Sequence, residues 1–266
     1  MLSLDALSRE TARSARAVLT DIDDTLTEHG RLPPEAYAAL RDLRAAGLVV
    51  VPVTGRPAGW CDLIARQWYV DGVVGENGAL WFRYDEARRK MVQIYARDAE
   101  QRRLDRRRLD RIRDEVLMQV PGAALASDQD YRVSDLAIDY CEDVDPLSDR
   151  EVERIVEIFR SHGATAKVSS IHVNGWFGEH DKLTMSRRVL SETFGIDADA
   201  DRGEVIFVGD SPNDAPMFAH FPNSVGVANI NAFADAIEHL PRYVTAATSA
   251  RGFVEFADRL LDLRRE

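Results

Sequence analysis

Cysteine is nearly missing from this chain: Cys61 and Cys141 are the only thiols in 266 residues. Two isolated cysteines build neither a disulfide framework nor a cysteine-ligated metal site, and they suit a reducing compartment. No apolar run approaches the length of a membrane span. The segment Met1 to Arg16 is polar, helical in tendency and without the apolar stretch of a signal peptide, so a cytoplasmic protein is expected. Positive charge is also scarce. Thirty-four Lys and Arg against forty-five Asp and Glu leave a formal net charge of −11, which argues against a nucleic-acid partner. Internal repeats and low-complexity tracts are absent, and the length allows one large domain or a core with an insertion.

What is present is organised around Ala17-Val18-Leu19-Thr20-Asp21-Ile22-Asp23-Asp24-Thr25-Leu26-Thr27. A short apolar run stops abruptly in three carboxylates within four positions. A buried strand whose carboxyl end delivers Asp21 to a crevice places that charge most simply. The chain turns after Asp21, so Asp23 can reach the same cavity. Two carboxylates that close repel unless a metal or a shared proton intervenes. An ordinary acidic turn after a strand is the competing reading of this segment taken alone.

The rest of the chain alternates strand and helix. Pro33-Pro34-Glu35 opens a helix with Ala36, Ala39, Leu40 and Leu43 on its apolar face, and Leu48 to Val53 is a strand covered on both sides. That strand ends in Thr54-Gly55-Arg56-Pro57, with a helix from about Pro57 to Trp68 beyond it. Asp71 to Phe82 reads as two short strands around a glycine-rich turn, with Asn77-Gly78 as its hairpin signal. Strand, helix, strand, helix, strand predicts a parallel α/β sheet with right-handed crossovers.

Near Tyr84 the pattern changes. Arg97 to Glu115 is arginine-rich, but interspersed acids make it a solvated helix surface rather than a nucleic-acid patch. Pro121-Gly122 ends that helix. A strand at 136–140, a helix at 151–159 and one or two strands at 166–173 predict a small open-faced α+β module, an insertion spanning about 84–180. The α/β pattern resumes with a helix from Asp181, a buried strand over 204–208, short strands at 225–228 and 243–245, a helix over 232–240 and a closing helix over 251–263. The expected organisation is a core in two segments, 1–83 and 181–266, around that insertion.

Functional residues of open parallel sheets gather at strand carboxyl ends. Four clusters here fit: Asp21 with Asp23, Thr54, Lys182 at a helix start, and Asp210 with Asp214 in Gly209-Asp210-Ser211-Pro212-Asn213-Asp214. Phosphoryl transfer through an aspartate needs this combination: a carboxylate nucleophile, an acid for the leaving oxygen, a hydroxyl and an ammonium for the phosphoryl oxygens, and acids to hold a divalent cation.

Asp21-Ile22-Asp23-Asp24-Thr25, Val53-Thr54-Gly55-Arg56, Lys182 and Gly209 to Asp214, in this order, resemble the haloacid dehalogenase superfamily of phosphatases. An insertion between the Thr54 and Lys182 segments resembles the type IIB cap of Cof-like, sucrose-phosphate and mannosyl-phosphoglycerate phosphatases. The resemblance implies a Rossmann-like core with an α+β cap over the active site. It implies Asp21 as nucleophile, Asp23 as general acid and base, and Thr54 and Lys182 on the phosphoryl group. It also implies Mg2+ held by Asp21, the Asp23 backbone carbonyl and Asp210, with Asp214 as a ligand or close neighbour. The acid at Asp23 favours phosphatase or phosphomutase chemistry over dehalogenation.

The expected activity is hydrolysis of a small phosphorylated metabolite, a sugar or polyol phosphate. A phosphosugar mutase is the first alternative and a phosphorylated receiver module a lower one. Candidate substrate contacts are Arg56 and Asn77 at the sheet edge and Arg132, Ser134, His172 and Trp176 in the insertion. A hairpin role explains Asn77 nearly as well, and His172 and His180 lack convincing metal spacing.

Overall fold

The computed structural model describes residues 1–169 and 171–265. The chain opens with a short strand β1 (Leu2–Ser3) and helix α1 (Arg9–Ser14), followed by β2 (Ala17–Thr20), α2 (Pro34–Ala45), β3 (Val49–Pro52) and α3 (Ala58–Gln67). An antiparallel run of β4 (Val73–Gly75), β5 (Leu80–Asp85) and β6 (Lys90–Tyr95) precedes α4 (Ala99–Gln119). Next come β7 (Ala124–Leu125), β8 (Leu136–Asp139), α5 (Asp149–Ser161), β9 (Thr165–Val168) and β10 (His172–Trp176). The chain closes with α6 (Lys182–Phe194), β11 (Val205–Gly209), α7 (Ala215–His220), β12 (Val225–Gly226), β13 (Tyr243–Val244) and α8 (Ser249–Arg265).

Six strands form one all-parallel sheet in the order β1-β13-β12-β11-β2-β3, and a bridge from Val53 to Val74 links β4 to its edge. Inner strands β2, β11 and β12 are buried because helices cover both faces, whereas the edge strand β1 is exposed. On one face Leu40 and Leu43 of α2 and Phe253, Phe256 and Leu260 of α8 share a core with Val18 and Val50. On the other, Met185 and Val189 of α6 and Met217 of α7 pack on Leu19, Val51 and Phe207.

A second module holds the antiparallel sheet β7-β8-β10-β9, backed by α4 and α5 around its own core of Leu109, Ile112, Val116, Ile138, Ile155, Phe159 and Val173. Asp98 starts α4 by accepting the Gln101 N–H at 2.8 Å. Leu109, Ile112 and Val116 of α4 face that core, whereas Leu104 and Leu117 are exposed.

Two expectations fail locally. The segment 232–240 is not an α-helix; tight 3-10 turns span Ala228–Ala236. There the Asn231 amide donates to the Ala228 carbonyl and Asn229 reaches away to Asp210, so side-chain bonds compete with the helical ladder. The opening residues are not all helix or coil either, because Leu2 and Ser3 pair in parallel with Tyr243 and Val244.

Candidate active site

The β2 strand keeps its pairing to the last residue, since the Asp21 N–H donates to the Val208 carbonyl at 2.8 Å. The chain then folds over the Ile22 carbonyl, which accepts the N–H groups of Leu26 at 2.9 Å and Thr27 at 3.0 Å. Asp21 is therefore aimed off the sheet edge while Asp23 lies in the turn beside it.

Lys182 is the first residue of α6, whose start is fixed by the Asp181 carboxylate accepting the Thr184 N–H at 2.7 Å. Its ammonium bridges Asp21 Oδ1 at 2.6 Å and Asp214 Oδ1 at 2.9 Å. The other Asp214 oxygen accepts the Asp210 N–H at 3.2 Å. Gly209 permits that closure, because a Cβ there would collide with the Asp214 carboxylate.

Asp210 is held from two sides. Its Oδ1 accepts the Thr25 hydroxyl at 3.3 Å and its Oδ2 the Asn229 amide at 3.0 Å. Asn229 was not singled out from the sequence, yet it also donates to the Asp24 carbonyl at 3.1 Å. Its place just past the carboxyl end of β12, on the same edge as the other clusters, was the available signal.

One oxygen each from Asp21, Asp210 and Asp214 lie within 4.8 Å of one another. Burial pushes Asp21 up to about 8, with Lys182 opposing and Asp214 and Asp23 adding. Burial, then Asp21 and Asp214, pushes Asp210 up to about 9. For Lys182, burial alone would favour the neutral amine, but the two carboxylates more than offset it and hold the ammonium charged. Ionising all three buried acids against one ammonium would leave excess negative charge, which is why Asp21 and Asp210 keep their protons when no cation is bound. An all-oxygen set of this kind fits a hard divalent cation.

The cavity above this cluster measures about 830 Å³, and its walls come from both modules. Asp21, Asp23, Asp210, Arg56, Asn77, Arg132 and His172 line it; Thr54, Ser134 and Trp176 do not. Thr54 is buried beneath, its hydroxyl accepting the Arg56 N–H at 3.0 Å. Ser134 gives its N–H to Glu76 at 2.6 Å, and Trp176 turns inward, its indole donating to the His180 carbonyl at 3.2 Å.

Arg56, Arg132 and His172 each lie beside a carboxylate, and burial pushes the His172 imidazole down from its ordinary value. Arg56 holds Asp23 through two nitrogens, at 2.8 Å and 3.0 Å. Arg132 pairs with Asp128 at 2.9 Å and with Asp135 at 3.0 Å, and donates to the Gly55 carbonyl at 3.0 Å. His172 Nε2 lies 2.8 Å from Glu142.

A family model for haloacid dehalogenase-like hydrolases matches residues 18–104. A phosphoglycolate phosphatase of Pyrobaculum neutrophilum is 31% identical over 251 residues, covering 92% of this chain and 96% of its own. Among solved structures, a Thermoplasma acidophilum protein superposes with a TM-score of 0.71 at 17% identity, covering 94% of this chain and 99% of that one. A subclass IIB sugar phosphatase of the haloacid dehalogenase superfamily superposes with a TM-score of 0.65 at 16% identity, covering 94% and 100%. These two carry the same fold, a parallel core with an inserted cap. The chain belongs to the haloacid dehalogenase-like hydrolases.

Proposed function

We propose that this haloacid dehalogenase-family phosphatase is a magnesium-dependent phosphomonoesterase that hydrolyses a small sugar or polyol phosphate through an aspartyl-phosphate on Asp21. The observation that carries the reading is the Lys182 ammonium bridging Asp214 and Asp21, the latter lining, with Asp210, a cavity walled by both modules. In this reading 84–180 is the cap, and 1–83 with 181–266 is the core.

Asp21 attacks phosphorus; a bond from its carboxylate oxygen to phosphorus forms as the bond to the leaving oxygen breaks. Asp23 protonates that leaving oxygen, and its carboxylate then takes a proton from the water that hydrolyses the acyl phosphate, restoring both acids. Lys182 and the Thr54 hydroxyl stabilise the phosphoryl oxygens, and Asp214 orients Lys182. Asp21, Asp210 and the Asp23 carbonyl would hold Mg2+, which when bound offsets the repulsion between an anionic nucleophile and an anionic ester. Asp214 would be a further ligand or a close neighbour of the metal, and it fixes Lys182 and the loop bearing Asp210. Arg56 must leave Asp23 before the acid can act, and an arriving substrate gives the guanidinium new acceptors.

The leaving group follows from the walls. Phosphoglycolate, named for the relative, is a two-carbon acid, whereas this cavity falls in the range for larger ligands. Among the described lining residues the Arg56 and Arg132 guanidinium groups already face carboxylates, an arrangement that favours a neutral hydroxylated group over another carboxylate. Phosphate release from a panel of sugar, polyol, nucleotide and carboxylate esters, with and without Mg2+, tests this. No release from any ester by folded protein overturns the activity, and isomerisation of a hexose phosphate without release would make it a mutase. Preference for phosphoglycolate over every sugar phosphate overturns the leaving-group assignment.

Asp210→Asn should weaken magnesium binding and activity together, raising the magnesium midpoint about tenfold or more, with partial rescue at high Mg2+, because a neutral oxygen holds a hard dication less firmly. Magnesium titrations followed by activity and by calorimetry decide it; an unchanged midpoint removes Asp210 from the metal. His172→Ala should reorder the substrate panel, because His172 faces the cavity from the cap and touches no core acid in the cluster. A uniform loss on every ester would end its role in selectivity.

A further inference from the structure

A buried carboxylate that the phosphoryl chemistry does not use sits in the turn between β4 and β5. Glu76 is fully buried and accepts four backbone N–H groups from two modules. Ala58, at the start of α3, donates to Oε1 at 3.0 Å, and Val133 donates to the same oxygen at 2.9 Å. Ser134 and Asp135 donate to Oε2 at 2.6 Å and 3.3 Å. Burial and the Asp135 charge push this carboxyl up to about 7, with the Val133 and Ala58 bonds pulling the other way. All four partners are donors, which suits the ionised form.

The backbone here is strained. Glu76, Asn77 and Gly78 have φ of 45°, 54° and 100° in succession. Two successive non-glycine residues in the left-handed region are strained, and such strain persists where surrounding contacts over-determine it. The three side positions of this turn face different structures. Glu76 meets the cap loop, Asn77 lines the cavity, and Gly78 packs against the Asp181 carbonyl so closely that a Cβ would collide, one residue before Lys182. The cap loop touches the core at two more points: Arg132 donates to the Gly55 carbonyl next to Thr54, and Gly59 of α3 lies against Tyr131.

We propose that Glu76 is a positioning residue that latches the cap loop 131–135 onto the core and, through its left-handed turn, holds that loop in register with Asn77 and Lys182. The inference rests on the phosphatase reading for its kinetic consequence. Its structural content is independent of the substrate. The latch sets where the cap wall stands relative to the phosphoryl site, so loosening it should harm esters whose leaving group needs the cap and spare those that do not.

Two variants test this from opposite sides. Glu76→Gln keeps the shape and one acceptor oxygen but presents an amide N–H to the Ser134 and Asp135 N–H groups. Gly59→Ala removes no polar group; Ala suits a helix, and its Cβ would lie 2.9 Å from the Tyr131 Cβ, wedging the loop outward. In both variants, hydrogen exchange at the 133–135 amides should speed up about tenfold relative to core strands. Efficiency on the best sugar phosphate should fall about tenfold, mostly through KM, while p-nitrophenyl phosphate stays within about threefold. Unchanged exchange in both variants overturns the latch. Equal losses on both esters in folded protein overturn its positioning role. Should Glu76→Gln not fold by circular dichroism, Gly59→Ala decides alone. If the wild type acts on no sugar phosphate, that reading fails, whereas the exchange measurement still judges the latch.

Discussion

Asp21→Asn should abolish phosphate release, by about four orders of magnitude or more, while the fold persists. An amide cannot form the acyl phosphate, and none of Asp23, Asp210 or Asp214 can substitute, because each is oriented by other partners. The stability effect depends on pH. In the metal-free protein the Asp21 carboxyl sits above its ordinary value, at about 8, chiefly through burial. Its contribution to stability is thus fully present below the unfolded value near 3.8 and is lost as pH rises through about 8. Asn has no proton to lose. The variant should therefore gain on the wild type steadily as pH rises across that window in EDTA. Melting temperatures from pH 5 to 7, about a unit inside either limit, measure it. Wild-type turnover in Asp21→Asn would remove Asp21 as nucleophile, and parallel pH profiles would remove its buried proton.

Lys182→Met should be the most destabilising single change in the site, costing about 3–5 kcal/mol without metal. It leaves Asp21 and Asp214 buried with Asp210 and no ammonium between them. Removing one partner of a buried ion pair exposes the full desolvation cost of the other. The acids respond by keeping their protons, so the deficit should deepen as pH rises and they ionise. Magnesium should restore part of the lost stability by binding the folded state alone. Activity should fall about 100-fold or more on every ester alike, since Lys182 addresses the phosphoryl group and not the leaving group. Urea melts at pH 6 and pH 8.5, with and without Mg2+, provide the check. A variant as stable as wild type at the higher pH would sink the account of Lys182 as the counter-ion of the cluster.

Much of the core was legible because a strand buried on both faces writes itself as a continuous apolar run. Val18-Leu19, Val49-Val50-Val51 and Val205 to Val208 are such runs, and all lie in the parallel sheet. Charge placed directly after such a run has one way out, off the carboxyl edge. Asp21 and Asp210 follow such runs, whereas Lys182 is read from its helix start and Asp214 from the loop after Asp210, and the structure brings all four together. Local chemistry was less dependable where two signals competed. The segment around Ala232 has helix-forming residues, but Asn229 and Asn231 form side-chain bonds that break it into tight turns.

Pairing across modules was not legible. Arg132 and Trp176 have the side chains expected of substrate contacts. In the fold, however, Arg132 is bound to Asp128, Asp135 and Gly55, and the Trp176 indole points to the His180 carbonyl. Glu76 looks like an ordinary turn residue until the amides of 133–135, more than fifty positions later, close around it. By itself the sequence determined the sheet, its edge and the acids that gather there, because hydrophobic runs and the charges that end them are properties of neighbouring residues. Only the tertiary structure decided which charges remain available to a substrate and which are neutralised. The partner of a buried charge is chosen by desolvation, and desolvation depends on what lies beside it in space rather than along the chain.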